Sequence, residues 1–88
     1  MKTPFWEREM HGGVQKVYVF PNGYGASVVR HSFSYGGNKG LWELAVLDIK
    51  NTEPLEWEIS YDTPITNDVV GYLNDEQVEK YLKHVELL

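Results

Sequence analysis

Three kinds of side chain in this 88-residue chain could do chemistry: histidines, paired carboxylates and the polar or aromatic groups around two glycine-rich turns. His11, His31 and His84 stand far apart, and none is spaced at i, i+4 from another metal ligand. That spacing gives no support to a zinc or iron site, which needs ligands converging on one face. His31 falls inside a strand-like run, where a satisfied histidine is commoner than a catalytic base, and no nucleophile signature stands near it. His84 falls in the last turn of an expected helix, where it can interact with the negative helix end.

Glu56 and Glu58 project from one face of an alternating run, roughly 7 Å apart by strand geometry. Such a pair could serve acid/base hydrolysis of a glycoside. The plainer reading is a solvated face, or a partner for Arg30. Asn22-Gly23-Tyr24-Gly25 and Gly36-Gly37-Asn38-Lys39-Gly40 raise phosphate cradling, but neither has a nucleotide-loop spacing, and each joins strand to strand. Hairpin turns account for those glycines, with Lys39 as the one residue suited to a phosphate. Aromatics beside turns are better functional candidates, because large rings are costly to expose unless a partner covers them. Tyr24 sits in the first turn, while Tyr35 and Trp42 flank the second. Tyr35, Asn38, Lys39 and Trp42 are therefore the expected partner-binding set, with no catalytic residue, metal or cofactor assigned.

The elements that must position these groups follow from patterning. Residues 1–13 show no clear period and end in His11-Gly12-Gly13, which reads as an N-terminal arm on a single domain spanning residues 14–88. Val14 to Phe20 is β-branched and aromatic, and Pro21-Asn22-Gly23 supplies hairpin chemistry before a second run, Ala26 to Tyr35. The Gly36–Gly40 turn leads to Leu41 to Ile49, apolar on both faces as for a central strand. After Asn51-Thr52-Glu53-Pro54, the run Leu55 to Asp62 alternates, with Leu55, Trp57, Ile59 and Tyr61 inward. Grouping apolar residues predicts Phe33 opposite Leu44, Tyr35 opposite Trp42, Leu44 opposite Ile59 and Val46 opposite Trp57. The second face then carries a smaller apolar patch that includes Val17, Val19, Val28 and Ile49.

Val69 to Leu73 reads as a short helical turn capped by Thr66 or Asn67. Asn74 to Gln77 opens a true helix: Asn74 caps, Gln77 completes a capping box, and Val78, Tyr81, Leu82 and Val85 form one apolar stripe. The expected fold class is α+β, a four-stranded antiparallel meander with a C-terminal helix packed on one face.

Composition bounds the function. Three Trp, six Tyr and three Phe make 14% of the chain, enough to build a core in a small domain. Without cysteine there is neither a disulfide framework nor a thiolate zinc site. Thirteen acidic against eight basic residues leave a net charge of −5, which argues against binding a phosphate backbone. The acids are also too scattered for a strong DNA mimic. With no apolar run after the first residues and no stretch of about 20 apolar residues, the expectation is a protein without signal peptide or membrane span, in the cytoplasm.

Three segments carry a resemblance: Asn22-Gly23-Tyr24-Gly25-Ala26-Ser27-Val28-Val29-Arg30, Ser34-Tyr35-Gly36-Gly37 with Gly40-Leu41-Trp42-Glu43-Leu44-Ala45-Val46-Leu47, and Tyr61-Asp62-Thr63-Pro64-Ile65-Thr66-Asn67-Asp68-Val69. The chain resembles small, functionally uncharacterised proteins encoded by bacteriophages, over most of its length after the arm. The resemblance implies a viral accessory protein in the host-cell cytoplasm and brings no active site with it. Taken with the missing catalytic signatures, it leads to the expectation of a non-enzymatic protein that binds a host or phage protein. A structural or assembly protein working as a homo-oligomer comes second, and a small hydrolase using Glu56, Glu58 or His31 third.

Overall fold

The computed structural model describes residues 3–65 and 69–88. Its elements are β1 (Trp6–Met10), β2 (Gly13–Val19), β3 (Tyr24–Arg30), β4 (Trp42–Thr52), β5 (Leu55–Ile59), β6 (Val70–Leu73) and α1 (Asp75–Glu86), with a short 3-10 turn over Gly37–Lys39. The class is α+β as expected, but among the described residues the sheet holds six strands where four were expected. Five run in the antiparallel order β1-β2-β3-β4-β5, and β6 pairs with β4 beside that path. The eleven-residue β4 therefore serves three neighbours: β3 on one edge, β5 and β6 in succession on the other.

Two of the additional elements come from segments read otherwise in the sequence. The expected arm supplies β1, whose Trp6 to Met10 pair with Val17 to Gly13. The expected helical turn at 69–73 is instead β6, with Trp42 opposite Leu73 and Leu44 opposite Val70. Its proposed caps, Thr66 and Asn67, lie outside the described residues.

Register differs as well. β3 ends at Arg30, and Ala26 lies opposite Val46 and Val28 opposite Leu44, so Phe33 and Tyr35 leave the ladder altogether. On the other side, Leu47 faces Ile59 and Ile49 faces Trp57. The expected pairing of Leu44 with Ile59 is three residues out, and an odd slip moves Trp57 and Ile59 to the other face. The reason is physical: Ala26 to Val29 are all buried, so both faces of β3 are covered and burial of one face cannot select its register with β4.

One face carries Tyr18, Phe20, Ala26, Val28, Trp42, Leu44 and Val46, and it packs against Val78, Leu82 and Val85 of α1 to form the core. Asn74 caps the helix as expected: its side chain accepts from the Gln77 amide while the Gln77 side chain accepts from the Asn74 amide, both at 2.9 Å. The far end is capped from a distance. In the β2–β3 turn, where Gly23 has φ +86°, the Asn22 side-chain amide donates to the carbonyls of Val85 (2.9 Å), Glu86 (3.1 Å) and Leu88 (3.3 Å). Three carbonyls at the end of the helix, of which Val85 also accepts from the Leu88 amide (3.2 Å), are thus answered by a single turn residue.

The second face is held differently. Val17, Val29, Ala45 and Leu47 are buried there, although no helix among the described residues covers them. Across β1 to β3 runs a polar chain: the Arg8 Nε donates to Gln15 Oε1 (2.8 Å), and Gln15 Nε2 donates to Ser27 Oγ (2.9 Å). Hydrogen bonding of this kind is what allows Gln15 and Ser27 to be buried at low cost. At the rim Trp6, with Arg8 5.3 Å from its ring, and Ile59 remain partly exposed.

Candidate functional site

The loop between β3 and β4 is built by side chains that replace the missing ladder. The Ser34 hydroxyl accepts from the His31 amide (2.9 Å) and donates to the His31 carbonyl (3.0 Å), closing a tight turn. Here His31 is in a turn, not a strand. Its Nδ1 accepts from the Phe33 amide at 3.1 Å, and its ring lies edge-on to His11, with centroids 5.2 Å apart. Among the described residues no group of three metal-ligating side chains converges.

Further along, the Tyr35 amide donates to Glu43 Oε1 (2.9 Å), and the Tyr35 carbonyl accepts from the Tyr72 amide (3.1 Å). The loop is thereby fastened to both β4 and β6. Gly36, at φ +90°, makes the close approach: a Cβ at this position would come within 2.9 Å of the Tyr72 Cα. Tyr72 itself has φ +58°, a conformation that bulky residues rarely occupy and that costs of order 1–3 kcal/mol.

The four expected site residues separate into two groups. Tyr35 is 59% exposed, Asn38 and Lys39 are exposed on the 3-10 turn, and Lys39 Nζ lies 5.9 Å from the centre of the Tyr72 ring. Trp42 does not join them. It is 4% exposed, part of the core, with its indole N–H donating to Asp75 Oδ1 at 2.8 Å and the charged groups of Arg30 and Lys16 4.2 and 5.1 Å from its ring. Trp42 is a packing residue that fixes the start of α1 to β4. Its parity with Leu44 and Val46 was the signal available in the sequence.

Tyr72 takes the place of Trp42, at 57% exposure beside Tyr35. The exposed groups here are two tyrosines joined backbone to backbone and one ammonium group over the Tyr72 ring, carried on a loop and a short strand braced against each other. Tyrosine gives large contact area and a hydroxyl for few rotatable bonds, and so suits a docking surface. The other candidates fare less well. Tyr24, a candidate as an aromatic in the first turn, is half-buried and packs against the core. Glu56 and Glu58 are exposed, with Glu58 3.9 Å from Lys50 and Glu56 3.5 Å from Asn51, while Arg30 is engaged by Trp42. Among the described residues no helix is long and apolar enough to cross a membrane. No family model, curated protein or solved structure matches the chain.

Proposed function

We propose that the chain is a non-enzymatic accessory protein of a bacteriophage that binds a phage or host protein through the surface formed by Tyr35, Lys39, Asn38 and Tyr72. The observation that carries this reading is the adjacent, half-exposed pair Tyr35 and Tyr72, one of them held at φ +58°. Backbone strain at a surface tyrosine needs compensation from its surroundings, and a partner's surface is one use for it. Lys39 favours a partner with an acidic or carbonyl-rich counterpart, while aromatic anchors dominate interface energetics.

A second reading, a homo-oligomer that covers the second sheet face, draws on the partly exposed Trp6 and Ile59 at its rim. Edge-to-edge strand addition is the less favoured route to it, because β1 carries Glu7, Arg8 and Glu9, and β5 carries Glu56 and Glu58. Pull-down from bacterial host lysate, with a mass measurement of the free protein, tests both. The first reading expects a monomer that retains one partner in the wild type and in Glu58→Ala and loses it in Tyr72→Ala and Lys39→Glu. Retention by all four proteins, or no partner and a symmetric oligomer, would refute it.

A further inference from the structure

The helix carries a second stripe, of which only Tyr81 packs against the core. Gln77, Lys80, Tyr81 and His84 follow one another at i, i+3, i+4 and i+7, so they share one side of α1, next to the buried stripe of Val78, Leu82 and Val85. Together with Pro64, Ile65 and Leu88 they line a cleft of about 630 Å³. That volume lies inside the range of roughly 300–1,000 Å³ typical of small-molecule sites.

The chemistry of the lining is uneven in a way that selects a ligand. Ile65, Tyr81 and Leu88 are partly buried against the core and form an apolar base. Gln77, Lys80 and His84 are exposed at the margin. Every one of these polar groups can donate: Lys80 an ammonium, His84 an imidazole N–H, Tyr81 a phenol. Gln77 has its Oε1 engaged by the Asn74 amide, which leaves its Nε2 to donate. Among the described residues no acidic side chain lines the cleft, although the chain as a whole carries a net charge of −5. His84 is steadied by an edge-on contact with the Tyr81 ring, centroids 6.4 Å apart.

We infer that this cleft binds a small amphipathic carboxylate, with its short hydrocarbon chain on Ile65, Tyr81 and Leu88 and its carboxylate among Lys80, His84 and Gln77. The site is separate from the Tyr35–Tyr72 surface, and it stands or falls independently of the protein-binding reading. Its occupant must combine an apolar body with an anionic head, because an apolar molecule alone leaves the donors unanswered and a bare anion leaves the base wet.

Titration of the isotope-labelled full chain with octanoate, followed by amide spectra, tests the assignment, with octylammonium and octyl glucoside as probes of the same chain and different heads. Octanoate is expected to shift the amides of Ile65 and of Gln77 through Leu88 saturably. The two control probes should bind at least about tenfold more weakly, a difference worth about 1.4 kcal/mol. The double variant K80E/H84Q, altered only at exposed positions, should keep the dispersed spectrum of the folded protein and lose octanoate affinity by a similar factor. Should its spectrum collapse, K80Q alone serves in its place, with a smaller expected loss. Equal binding of octylammonium, shifts confined to the second sheet face, undiminished affinity in the folded variant, or no saturable shift would each overturn the assignment.

Discussion

The amide of Asn22 reaches across more than sixty residues of sequence to the end of the helix, and replacing it gives a test with a sign as well as a size. Asn22→Ala removes the hydrogen bonds to Val85, Glu86 and Leu88, and the one its Oδ1 accepts from the Tyr24 amide at 3.0 Å. A typical bond contributes about 0.5–1.5 kcal/mol net, and those in contact with solvent fall at or below the lower end because water replaces them. The sum is about 1–2 kcal/mol. For a domain of this size each kcal/mol moves the melting midpoint by about 4–8 °C, so a drop of roughly 4–16 °C is expected.

Asn22→Asp discriminates further. The acid retains an acceptor for Tyr24 but turns a carboxylate toward carbonyl oxygens at the negative end of α1, where a charge of that sign is unfavourable. Its folded-state pKa is therefore raised above the unfolded value of about 3.9. A group shifted in this direction costs nothing below the unfolded pKa and destabilises as pH rises through the folded one. Thermal melts of all three proteins at neutral and acidic pH, each variant compared with wild type at the same pH, provide the measurement. The aspartate variant should be the weakest at neutral pH and should recover relative to wild type on acidification. An alanine variant within about 0.3 kcal/mol of wild type, or an aspartate variant no worse than alanine, would refute the capping role.

Denaturant midpoints should rank Trp42→Ala below Trp57→Ala and both below Glu58→Ala. A core tryptophan costs about 3–5 kcal/mol on truncation, a half-buried one less, and an exposed glutamate about 0.5 or less. Deleting residues 1–12 removes β1 and uncovers Gln15 and Val17, so faster amide exchange along β2 and a lower midpoint are expected; unchanged exchange would deny β1 a structural role. The hydroxyl of Tyr18 is buried with no hydrogen-bond partner among the described residues, and its pKa is raised by desolvation, then by the charges of Glu7 and Glu79. Because the unfolded state gives up this proton first, stability falls as pH rises above the unfolded value of about 10, and Tyr18→Phe should flatten that alkaline loss at no cost near neutrality. A Cβ at Gly71 would meet the Tyr35 Cβ at 2.4 Å, so Gly71→Ala should displace Tyr35 and weaken partner binding together with a loss of about 1–3 kcal/mol in chemical denaturation.

What could be read in advance was local. Asn74 and Gln77 define a helix start by their own hydrogen bonds, and the helical stripe needs only its own period. Pro21-Asn22-Gly23 likewise defines a turn from within. What escaped depended on partners elsewhere in the chain. Trp6 to Met10 holds three charged residues in succession, and nothing within that run reveals that β2 will pair with it. Val70 to Leu73 is extended because the upper edge of β4 is vacant beside β5, a fact of topology rather than propensity. Phe33 looked like a core aromatic and is 77% exposed, because Ser34 turns the chain at a point where β-branched and aromatic residues implied continuation. The candidate site was half legible for the same reason: Tyr35 and Lys39 belong to a visible loop, whereas Tyr72 reaches them only through the pairing of β6.

The position of β4, with β3 along one edge and β5 and β6 along the other, has a consequence for how the chain tolerates insertions. One residue added or removed among Trp42 to Leu47 would reverse the facing of everything beyond it and throw β3 out of step with β5 or β6 at once. An added residue in the solvent-exposed Ser32–Phe33 stretch alters no ladder. Insertion scanning should therefore find a central stretch of near-complete intolerance, bounded on its N-terminal side by a loop that accepts additional residues and, with them, a route to displaying a foreign segment beside Tyr35.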